Sequence, residues 1–305
     1  MKKQFVFKDI GKILKKSRVL FNEPMSKHTS FRIGGPADVF IIAEDINELR
    51  RIFSAAKRSG LPLYIAGSGT NILVGDKGIR GVVVKAGKAL DQVKIRGSTV
   101  EAGASISVSG LLSALAGRGL SGLEFMAGIP GTLGGALIGN AGSPRMAIGK
   151  TVRSVDFMDY SGRTRRIPAG RLVFSYRDSS LKKMKGIVTG AVLGGLKKAS
   201  PYAVKKSISA AWAKRKKIHP MDKPSAGCIF KNPNGCSAGL LIDLAGLKGE
   251  KAGGAVVSKK HANFILNRGK ASAADVMSLI EKMQKRVYEH FGVKLELEVQ
   301  LLGEF

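Results

Sequence analysis

The stretch "AGIPGTLGGALIGNAG", residues 127–142, combines closely spaced glycines with a short run of apolar residues. Pro130 and Gly131 stand where a helix over residues 130–138 is predicted to begin, because proline is favoured in the first turn of a helix. The N–H groups and the macrodipole of a helix start favour an anion such as a phosphate. The stretch therefore predicts a phosphate-binding turn at the start of a helix.

Two more glycine loops lie upstream of this stretch. "AGSGTN" (66–71) follows a predicted strand and offers several backbone N–H groups to one anion, but it fits neither the Rossmann nor the P-loop pattern. "HTSFRIGGPAD" (28–38) places an arginine beside a Gly-Gly-Pro turn. Each loop alone is typical of a plain turn. Three of them in the first half of the chain predict a site that wraps a long diphosphate cofactor.

Short strands and helices alternate along the chain without a fixed repeat, which predicts an α+β fold. The predicted domains are residues 1–88, 89–205 and 206–305. The main predicted elements are a strand at 37–44, helices at 45–60, 106–117, 130–138, 202–217 and 272–291, and a closing strand at 294–302.

Two of these helices carry capping signals at their first turns. Asp45 is followed three residues later by Glu48, and Ser272 is followed by Asp275 in the same spacing. The second helix also has an apolar stripe, formed by Val276, Ile280, Met283 and Val287.

The composition sets limits on the class of protein. The 305 residues are 44% hydrophobic, enough for two or three cores, and no apolar run reaches the ~20 residues of a membrane span. The basic N-terminus "MKKQFVFKDIGKILKKSR" (1–18) lacks the uncharged core of a signal peptide, so a soluble, cytoplasmic protein is expected.

A formal net charge of +29 indicates an anionic partner, which could be nucleic acid, anionic lipid or a phosphorylated small molecule. No zinc-finger spacing or RNA-binding aromatic motif accompanies the charge. A host whose proteins are generally rich in lysine would also explain it, so charge alone does not decide the function.

Both cysteines of the chain lie in "KPSAGCIFKNPNGC" (223–236). Two cysteines exclude a disulfide framework, and their C-x7-C spacing without a nearby Cys or His pair gives no reason to expect zinc or any other metal. The C-x-x-C spacing of a redox pair is absent too. A structural thiol and a catalytic thiol remain as alternatives.

Seven stretches, in order between residues 28 and 304, together resemble the UDP-N-acetylenolpyruvoylglucosamine reductase (MurB) family, in its shorter type II form. They are "HTSFRIGGPAD", "GSGTNILVGDKGIRGVVV", "GLEFMAGIPGTLGGALIGNAG", "FSYRDSS", "PSAGCIFKNP", "AGLKGEKAGGAVVSKKHANFILN" and "LELEVQLLGE". The resemblance implies a two-domain FAD-binding unit of the vanillyl-alcohol oxidase (PCMH) type, followed by a C-terminal α+β substrate-binding domain.

The activity that the resemblance implies is the NADPH-dependent reduction of the enolpyruvyl ether of UDP-N-acetylglucosamine to UDP-N-acetylmuramate, through non-covalent FAD, in peptidoglycan precursor synthesis. It further implies a nucleotide-sugar substrate. A monomer with no nucleic-acid partner and no membrane insertion is expected. The implied cofactor-binding residues are Arg32, Gly67, Ser68, Gly69, Thr70, Asn71, Ile72, Gly128, Ile129, Pro130, Gly131, Thr132, Gly134, Gly135, Asn140, Ala141 and Gly142.

Three catalytic residues are implied by matching motif positions. Arg177 carries a charged fork suited to the substrate carboxylate. Glu298 is placed to hydrogen-bond the same group, either as a protonated acid or through its neighbour. Cys228 occupies the proton-donor position, where many family members have serine. A thiol, with an ordinary pKa of about 8.5, is the stronger acid of the two. Cys236 is predicted to be structural.

The implied substrate-binding residues are Tyr176, Arg215, Lys217, Lys231, Asn232, His261 and Asn263. Arg215 and Lys217 belong to "KRKKIHP", where His219 replaces a family glutamine, and they are candidates for the UDP diphosphate or the NADPH phosphate. Residues 178–227 leave no room for the inserted module of longer relatives.

Three rival classes remain open. The first is an FAD-dependent oxidase of the same superfamily, although neither "GSGTN" nor "GIPGT" offers the histidine that many such oxidases use to attach flavin. The second is a nucleic-acid-binding protein, argued from the charge. A scaffold protein is the third, and it would not need three ligand-type loops.

Overall fold

A computed structural model describes residues 14–143 and 146–305. Most of the basic N-terminal stretch noted above lies outside the described residues. The chain forms two compact units, and both are discontinuous in sequence. The first unit contains the described residues up to Leu20, Val39–Gly67 and Gly81–Arg215; the second contains Phe21–Asp38, Ser68–Arg80 and Lys216–Phe305. The three-part division at residues 88 and 205 stays a prediction.

Six α-helices occur in the described residues, and every predicted helix is among them. They are α1 Ile46–Arg58, α2 Val108–Gly117, α3 Leu133–Ile138, α4 Pro201–Ile218, α5 Ala238–Leu244 and α6 Ala273–Phe291. None of these helices is long and apolar enough to cross a membrane.

The first unit is organised around a five-stranded antiparallel sheet in the order β10-β9-β13-β7-β6. Its strands are β6 Val93–Arg96, β7 Thr99–Gly103, β9 Val152–Asp159, β10 Thr164–Pro168 and β13 Gly186–Leu193. A four-stranded sheet has the order β1-β2-β5-β3, with β3 parallel to β5. Its strands are β1 Arg18–Pro24, β2 Pro36–Ala43, β3 Leu63–Ala66 and β5 Ile79–Ala86.

Two short antiparallel strand pairs complete the first unit. One pair is β11 Phe174–Ser175 with β12 Asp178–Ser179, and the other is β8 Leu120–Ser121 with β14 Lys197–Lys198. In the second unit, an antiparallel sheet has the order β15-β16-β17, and β18 runs parallel to β4. These strands are β4 Ile72–Val74, β15 Lys251–Ala252, β16 Ala255–Val257, β17 Ile265–Asn267 and β18 Gln300–Leu302.

The second unit has its own core, built on one face of α6. The predicted stripe Val276, Ile280, Met283 and Val287 is buried there. The predicted capping box is confirmed, because the Ser272 hydroxyl accepts from the Asp275 N–H while the Asp275 carboxylate accepts from the Ser272 N–H. Apolar burial on one stripe and a satisfied first turn together explain why this helix forms.

The predicted closing strand at 294–302 is divided between two partners, which corrects the sequence-based expectation. Leu297 bridges to Phe230, and only Gln300–Leu302 continue as β18 beside β4. Period-two alternation shows that a segment is extended, but it carries no information on which strand will pair with it.

At α1, Asp45 acts as the N-cap, with its carboxylate accepting from the Asn47 and Glu48 N–H groups. Glu48, however, does not complete a capping box. Its buried carboxylate accepts instead from the backbone N–H groups of Lys15, Lys16 and Ser17. Burial alone would raise the pKa of Glu48, but hydrogen bonds from Ser17 and its neighbours hold the pKa below its ordinary value.

We expect Glu48→Gln to lower the free energy of unfolding by about 1–3 kcal/mol at neutral pH, because buried donors lose a charged acceptor. Since the folded-state pKa is depressed, this stabilisation exists above the ordinary pKa of a glutamate and disappears as the pH falls through the folded value. Urea unfolding at neutral and acidic pH should therefore show a gap between wild type and variant that closes on acidification. Glu281→Gln, at an exposed position of α6, is the matched control. An equal change in the control, or a gap independent of pH, would contradict the role given to Glu48.

Candidate active site

Two of the three glycine loops meet within the first unit. A Cβ at Gly67 would lie 2.9 Å from the Thr132 Oγ1, so a side chain there would collide with the loop at 128–132. Gly128 and Gly131 have φ angles of 75° and 124°, in the region that favours glycine. The two loops therefore present closely approaching backbone, which fits the diphosphate of a dinucleotide cofactor.

The start of the following helix differs from the expectation. Thr132 is the N-cap, with its hydroxyl accepting from the Gly135 N–H at 3.3 Å, and α3 begins at Leu133. Pro130 and Gly131 thus lie in the loop before the helix. Threonine is a favoured N-cap residue because its hydroxyl satisfies one of the N–H groups at the helix start. Pro130, which is favoured in the first turn, led the sequence-based prediction to place that start too early.

The other predicted loop residues lie in the second unit. The Gly69 carbonyl accepts from the Ser30 N–H at 3.0 Å, and a Cβ at Gly69 would collide with the His28 carbonyl. Segment 68–72 is thereby packed on segment 28–32, which contains Arg32 in a left-handed conformation with φ of 55°. Asn71 extends this packing, since its Nδ2 donates to the Glu298 carbonyl at 3.0 Å.

Asn140 organises a second part of the first unit. Its Nδ2 donates to the Ser175 carbonyl at 2.7 Å, and its Oδ1 accepts from the Gly149 N–H at 3.0 Å. The residue is buried and has a left-handed φ of 43°. Because its amide is engaged by backbone on both sides, Asn140 holds the segments around 149 and 175 together.

Next to Asn140 lies a cavity of about 410 Å³. Four of the sequence-predicted site residues line it, namely Asn140, Gly142, Tyr176 and Arg177. Motifs 35 residues apart in sequence are therefore brought to one cavity, as expected if "GNAG" and "FSYRDSS" serve the same site. Ser143, Ala147, Gly149, Lys150, Phe174 and Ser175 complete the lining.

Sequence reasoning missed Lys150 and Phe174 as parts of this cavity. Lys150 is one of 51 basic residues, and no local motif distinguishes it from the others. Phe174 stands inside the "FSYRDSS" motif, but only the fold shows that its ring packs against Gly149, where a Cβ would lie 2.6 Å from the ring.

Arg177 lies at the tip of the β11–β12 hairpin, where Tyr176 and Arg177 form the two-residue connection. Its φ of 55° is uncommon for a residue with a side chain and costs free energy that the surrounding contacts must offset. The guanidinium Nη1 donates to the Gly142 carbonyl at 3.2 Å, and the Arg177 carbonyl accepts from the Lys182 Nζ at 2.6 Å. The guanidinium also lies 5.7 Å from the centre of the Tyr176 ring. These contacts fix the charged fork at the edge of the cavity.

In the second unit, Cys228 and Glu298 lie on neighbouring extended segments. The Glu298 N–H donates to the carbonyl of Ile229, the residue after Cys228, at 2.8 Å. On the other side, Cys228 bridges to Phe264. Cys228 is partly exposed, so its thiol is not a simple core group. Two of the three predicted catalytic residues are therefore brought together within this unit.

Asn263 holds the Cys228 segment in position. Its side chain is almost completely buried, with Oδ1 accepting from the Phe230 N–H at 2.9 Å and Nδ2 donating to the Phe230 carbonyl at 2.8 Å. Because both polar atoms of this amide are hydrogen-bonded to the Phe230 backbone, Asn263 fixes the position of that backbone. These bonds hold the Phe230 backbone beside the Cys228 segment, and the role of Asn263 as a substrate contact stays a prediction.

Asn232 and Lys231 also have protein partners. The Asn232 Oδ1 accepts from the Ala238 N–H at 3.0 Å at the start of α5, and the Lys231 Nζ lies 3.0 Å from the Glu296 Oε2. Cys236, predicted to be structural, is exposed and so does not fill a core; this corrects the prediction.

The remaining candidates are His261, Arg215 and Lys217. His261 stacks on His219 with ring centres 5.3 Å apart, and both rings contact Phe264 edge-on. Burial lowers the pKa of His261, and nearby Lys248 adds to the effect. In the first unit, the Arg215 Nε donates to the Ala127 carbonyl at 3.1 Å, which ties it to the 127–142 stretch. Lys217 is exposed.

The fold and the close approach of Gly67 to the loop at 128–132 define a flavoprotein with an FAD-binding domain. The family model described as "FAD binding domain" matches residues 37–168. A second family model, "UDP-N-acetylenolpyruvoylglucosamine reductase, C-terminal domain", matches residues 219–302. The chain belongs to the UDP-N-acetylenolpyruvoylglucosamine reductase (MurB) family. The resemblance read from seven motifs is thereby confirmed, and so is the α+β fold with an FAD-binding part and a C-terminal domain.

Individual relatives support this membership over nearly the whole chain. The UDP-N-acetylenolpyruvoylglucosamine reductase of Moorella thermoacetica is 45% identical over 289 residues, which cover 95% of each chain. The protein of the same name from Caldanaerobacter subterraneus is 42% identical and covers 97% of each chain. The crystal structure of the reductase (MurB) from Thermus caldophilus matches with a TM-score of 0.80 and 33% identity, covering 95% of this chain and 100% of that one.

Proposed function

We propose that this chain reduces the enolpyruvyl ether of UDP-N-acetylglucosamine to UDP-N-acetylmuramate, with NADPH as reductant, in peptidoglycan precursor synthesis. The observation that carries the proposal is the presence, on one chain, of an FAD-binding domain at 37–168 and of the reductase-specific C-terminal domain at 219–302. A cytoplasmic location and a monomeric state are part of the proposal.

FAD, when bound, supplies the hydride transfer that carries electrons from NADPH to the substrate. Gly67 and residues 128–135 are the groups that would hold its diphosphate, because their backbone can approach an anion closely. The family resemblance assigns Arg32 and residues 68–72 to the cofactor as well. Residues 140–142 would lie beside the flavin ring, a role supported by the cavity that Asn140 and Gly142 line.

Arg177 binds the substrate carboxylate in this proposal. Hydride addition to the methylene carbon sends an electron pair to the neighbouring carbon, which carries that carboxylate. A fixed guanidinium fork stabilises the developing charge without reorganising, because its contacts with Gly142 and Tyr176 hold it in place. Tyr176 lines the same cavity and is exposed to an incoming substrate.

Cys228 then donates the proton that completes the reduction, from its thiol to the carbon that received the electron pair. Glu298, on the neighbouring segment, hydrogen-bonds the substrate carboxylate as a protonated acid, or acts on it through its neighbour. Support comes from the partial exposure of Cys228 and from the backbone bond that joins Glu298 to Ile229. Asn263 keeps the donor segment in register, so it is a positioning residue.

An anaerobic spectrum tests the proposed function directly. The purified protein should be yellow, its flavin absorbance should bleach on adding NADPH, and it should recover on adding the enolpyruvyl substrate. Acid denaturation should release the flavin, because the cofactor is not covalently attached. Recovery that requires oxygen and ignores the enolpyruvyl substrate would instead favour an oxidase, and a colourless protein would contradict both.

A further inference from the structure

Helix α4 (Pro201–Ile218) is anchored by one narrow stripe. Val204 is buried, and Ile208 and Ala211 pack against the core of the first unit. These positions follow one another at spacings of four and three, so they lie on one side of the helix. Arg215 continues the stripe through its hydrogen bond to the Ala127 carbonyl. The helix is therefore held in place by its inner side, and its apolar stripe is packed against the core of the first unit.

The outer side of α4 carries two large exposed aromatic residues. Tyr202 is 75% exposed and Trp212 is 45% exposed. Tyr202, Lys205, Ser209, Trp212 and Lys216 recur at spacings of three and four, which places them along one line of the helix. The two aromatic residues are separated by about 15 Å along the axis at 1.5 Å per residue. We call this line of residues, together with the adjacent Lys206, the outer face of α4.

Basic residues accumulate in the sequence on and around this helix. The sequence contains no Asp or Glu between Asp178 and Asp222. The helix carries Lys205, Lys206, Lys214, Arg215, Lys216 and Lys217, and the exposed pair Lys197–Lys198 forms β14 just before it.

Some lysines elsewhere in the chain have acidic partners. Lys248 lies beside Asp243, and Lys282 lies 2.7 Å from Glu250. Among the described residues, Lys205 and Lys206 have no ion-pair partner and are fully available to an external anion. A helix side on which cations accumulate without acids indicates an anionic partner.

We propose that the outer face of α4 docks this enzyme onto the surface of an anionic lipid bilayer. Tyrosine and tryptophan side chains favour the boundary between headgroups and acyl chains, and lysines are attracted to anionic headgroups. The outer face of α4 places both kinds of side chain in one line along the helix, so they can meet a bilayer surface together. Because the apolar stripe of α4 already faces the protein core, the contact is peripheral and reversible.

Single-stranded nucleic acid is the other anion that aromatic and basic residues bind together. Such binding normally uses a groove that follows the phosphate backbone while bases stack on aromatic rings. The outer face of α4 is a line of side chains on a single helix, and a single helix does not by itself form such a groove. The geometry of α4 therefore favours the lipid surface.

The chain contains a single tryptophan, so Trp212 reports on this face without engineering. With the FAD-loaded enzyme, vesicles of equal parts phosphatidylglycerol and phosphatidylcholine should shift the Trp212 emission to shorter wavelength and sediment the protein. Raising the salt concentration should reverse both effects, because the attraction is screened. Vesicles of phosphatidylcholine alone should do neither.

Two double variants distinguish vesicle binding through the outer face of α4 from binding through the overall net charge of the protein. Lys205→Glu with Lys206→Glu should weaken vesicle binding by about tenfold or more, since each basic residue near the surface contributes substantially. Lys251→Glu with Lys270→Glu makes the same change in net charge at two exposed positions of the second unit, and it should weaken binding far less. Turnover of the enzyme in solution should be the same in both.

Tyr202→Ser leaves the charge unchanged and should also weaken vesicle binding, which a purely electrostatic attraction would not show. Equal loss in the two double variants would mean that net charge, and not α4, binds the vesicles, and the proposal would fail. It would also fail if oligo(dT) shifted the Trp212 emission while vesicles did not, since the face would then bind single-stranded nucleic acid.

Discussion

Cys228→Ala should still be reduced by NADPH at close to the wild-type rate, but its reoxidation by the enolpyruvyl substrate should slow by about 10²–10⁴-fold. The first half-reaction needs no proton from this residue, whereas the second cannot finish until the carbon beside the carboxylate is protonated. Stopped-flow measurement of each half-reaction, under anaerobic conditions, distinguishes the two. Cys236→Ala is the matched control, because Cys236 is the other thiol of the chain and is exposed. It should behave as wild type in both halves.

Cys228→Ser refines this test. A hydroxyl can replace the thiol as donor, so substantial activity should remain. Free thiols ionise near pH 8.5, at which point they can no longer donate a proton. The wild type should therefore lose activity on the alkaline side, and the serine variant should not. In the Cys236→Ala background, an alkylating agent should inactivate the enzyme, with the substrate protecting it. If Cys228→Ala turns over at the wild-type rate, or the alkaline loss persists in Cys228→Ser, the thiol is not the donor.

Arg177→Lys should also separate the two half-reactions. Lysine keeps the charge but loses the planar fork, and it loses the geometry set by the Gly142 carbonyl and the Tyr176 ring. We expect reoxidation by the enolpyruvyl substrate to slow by about 10²–10³-fold, as for the loss of one preorganised group that stabilises developing charge. Reduction by NADPH should stay near the wild-type rate.

Arg165→Lys is the control for this substitution, since Arg165 is an exposed arginine in β10 of the same unit. It should change neither half-reaction. Equal losses in both halves of the Arg177→Lys reaction, with an unchanged control, would show that Arg177 supports the flavin or the fold and does not act on the substrate.

Features that depend on residues close together in sequence were predictable. The capping box of Ser272 and Asp275, the Asp45 N-cap and the buried stripe of α6 are all confirmed. In each case the interacting groups lie within one or two helical turns, so their spacing in the sequence already determines their contact. The family membership was also predictable, because seven motifs in one order are far more specific than any single loop.

Roles that depend on distant partners were not predictable. The Glu48 carboxylate does not complete a capping box, because it accepts hydrogen bonds from the backbone N–H groups of Lys15 and Lys16 instead. The Asn263 amide is hydrogen-bonded to the backbone of Phe230, 33 residues away, and no local pattern indicates that contact. Cys236 looked like a structural thiol, and only the fold shows that it is exposed.

The sequence by itself determined the helices, the family and the motifs that contain the candidate site residues. Tertiary structure decided which of these residues share a site: Arg177 with Gly142 at one cavity, and Cys228 beside Glu298 on paired segments. The physical reason is that periodicity and capping are local properties of the chain, whereas the choice of a distant partner depends on the packing of the whole unit. The left-handed backbone of Arg177 illustrates this, because a non-glycine residue keeps such a conformation only when the contacts around it offset the cost.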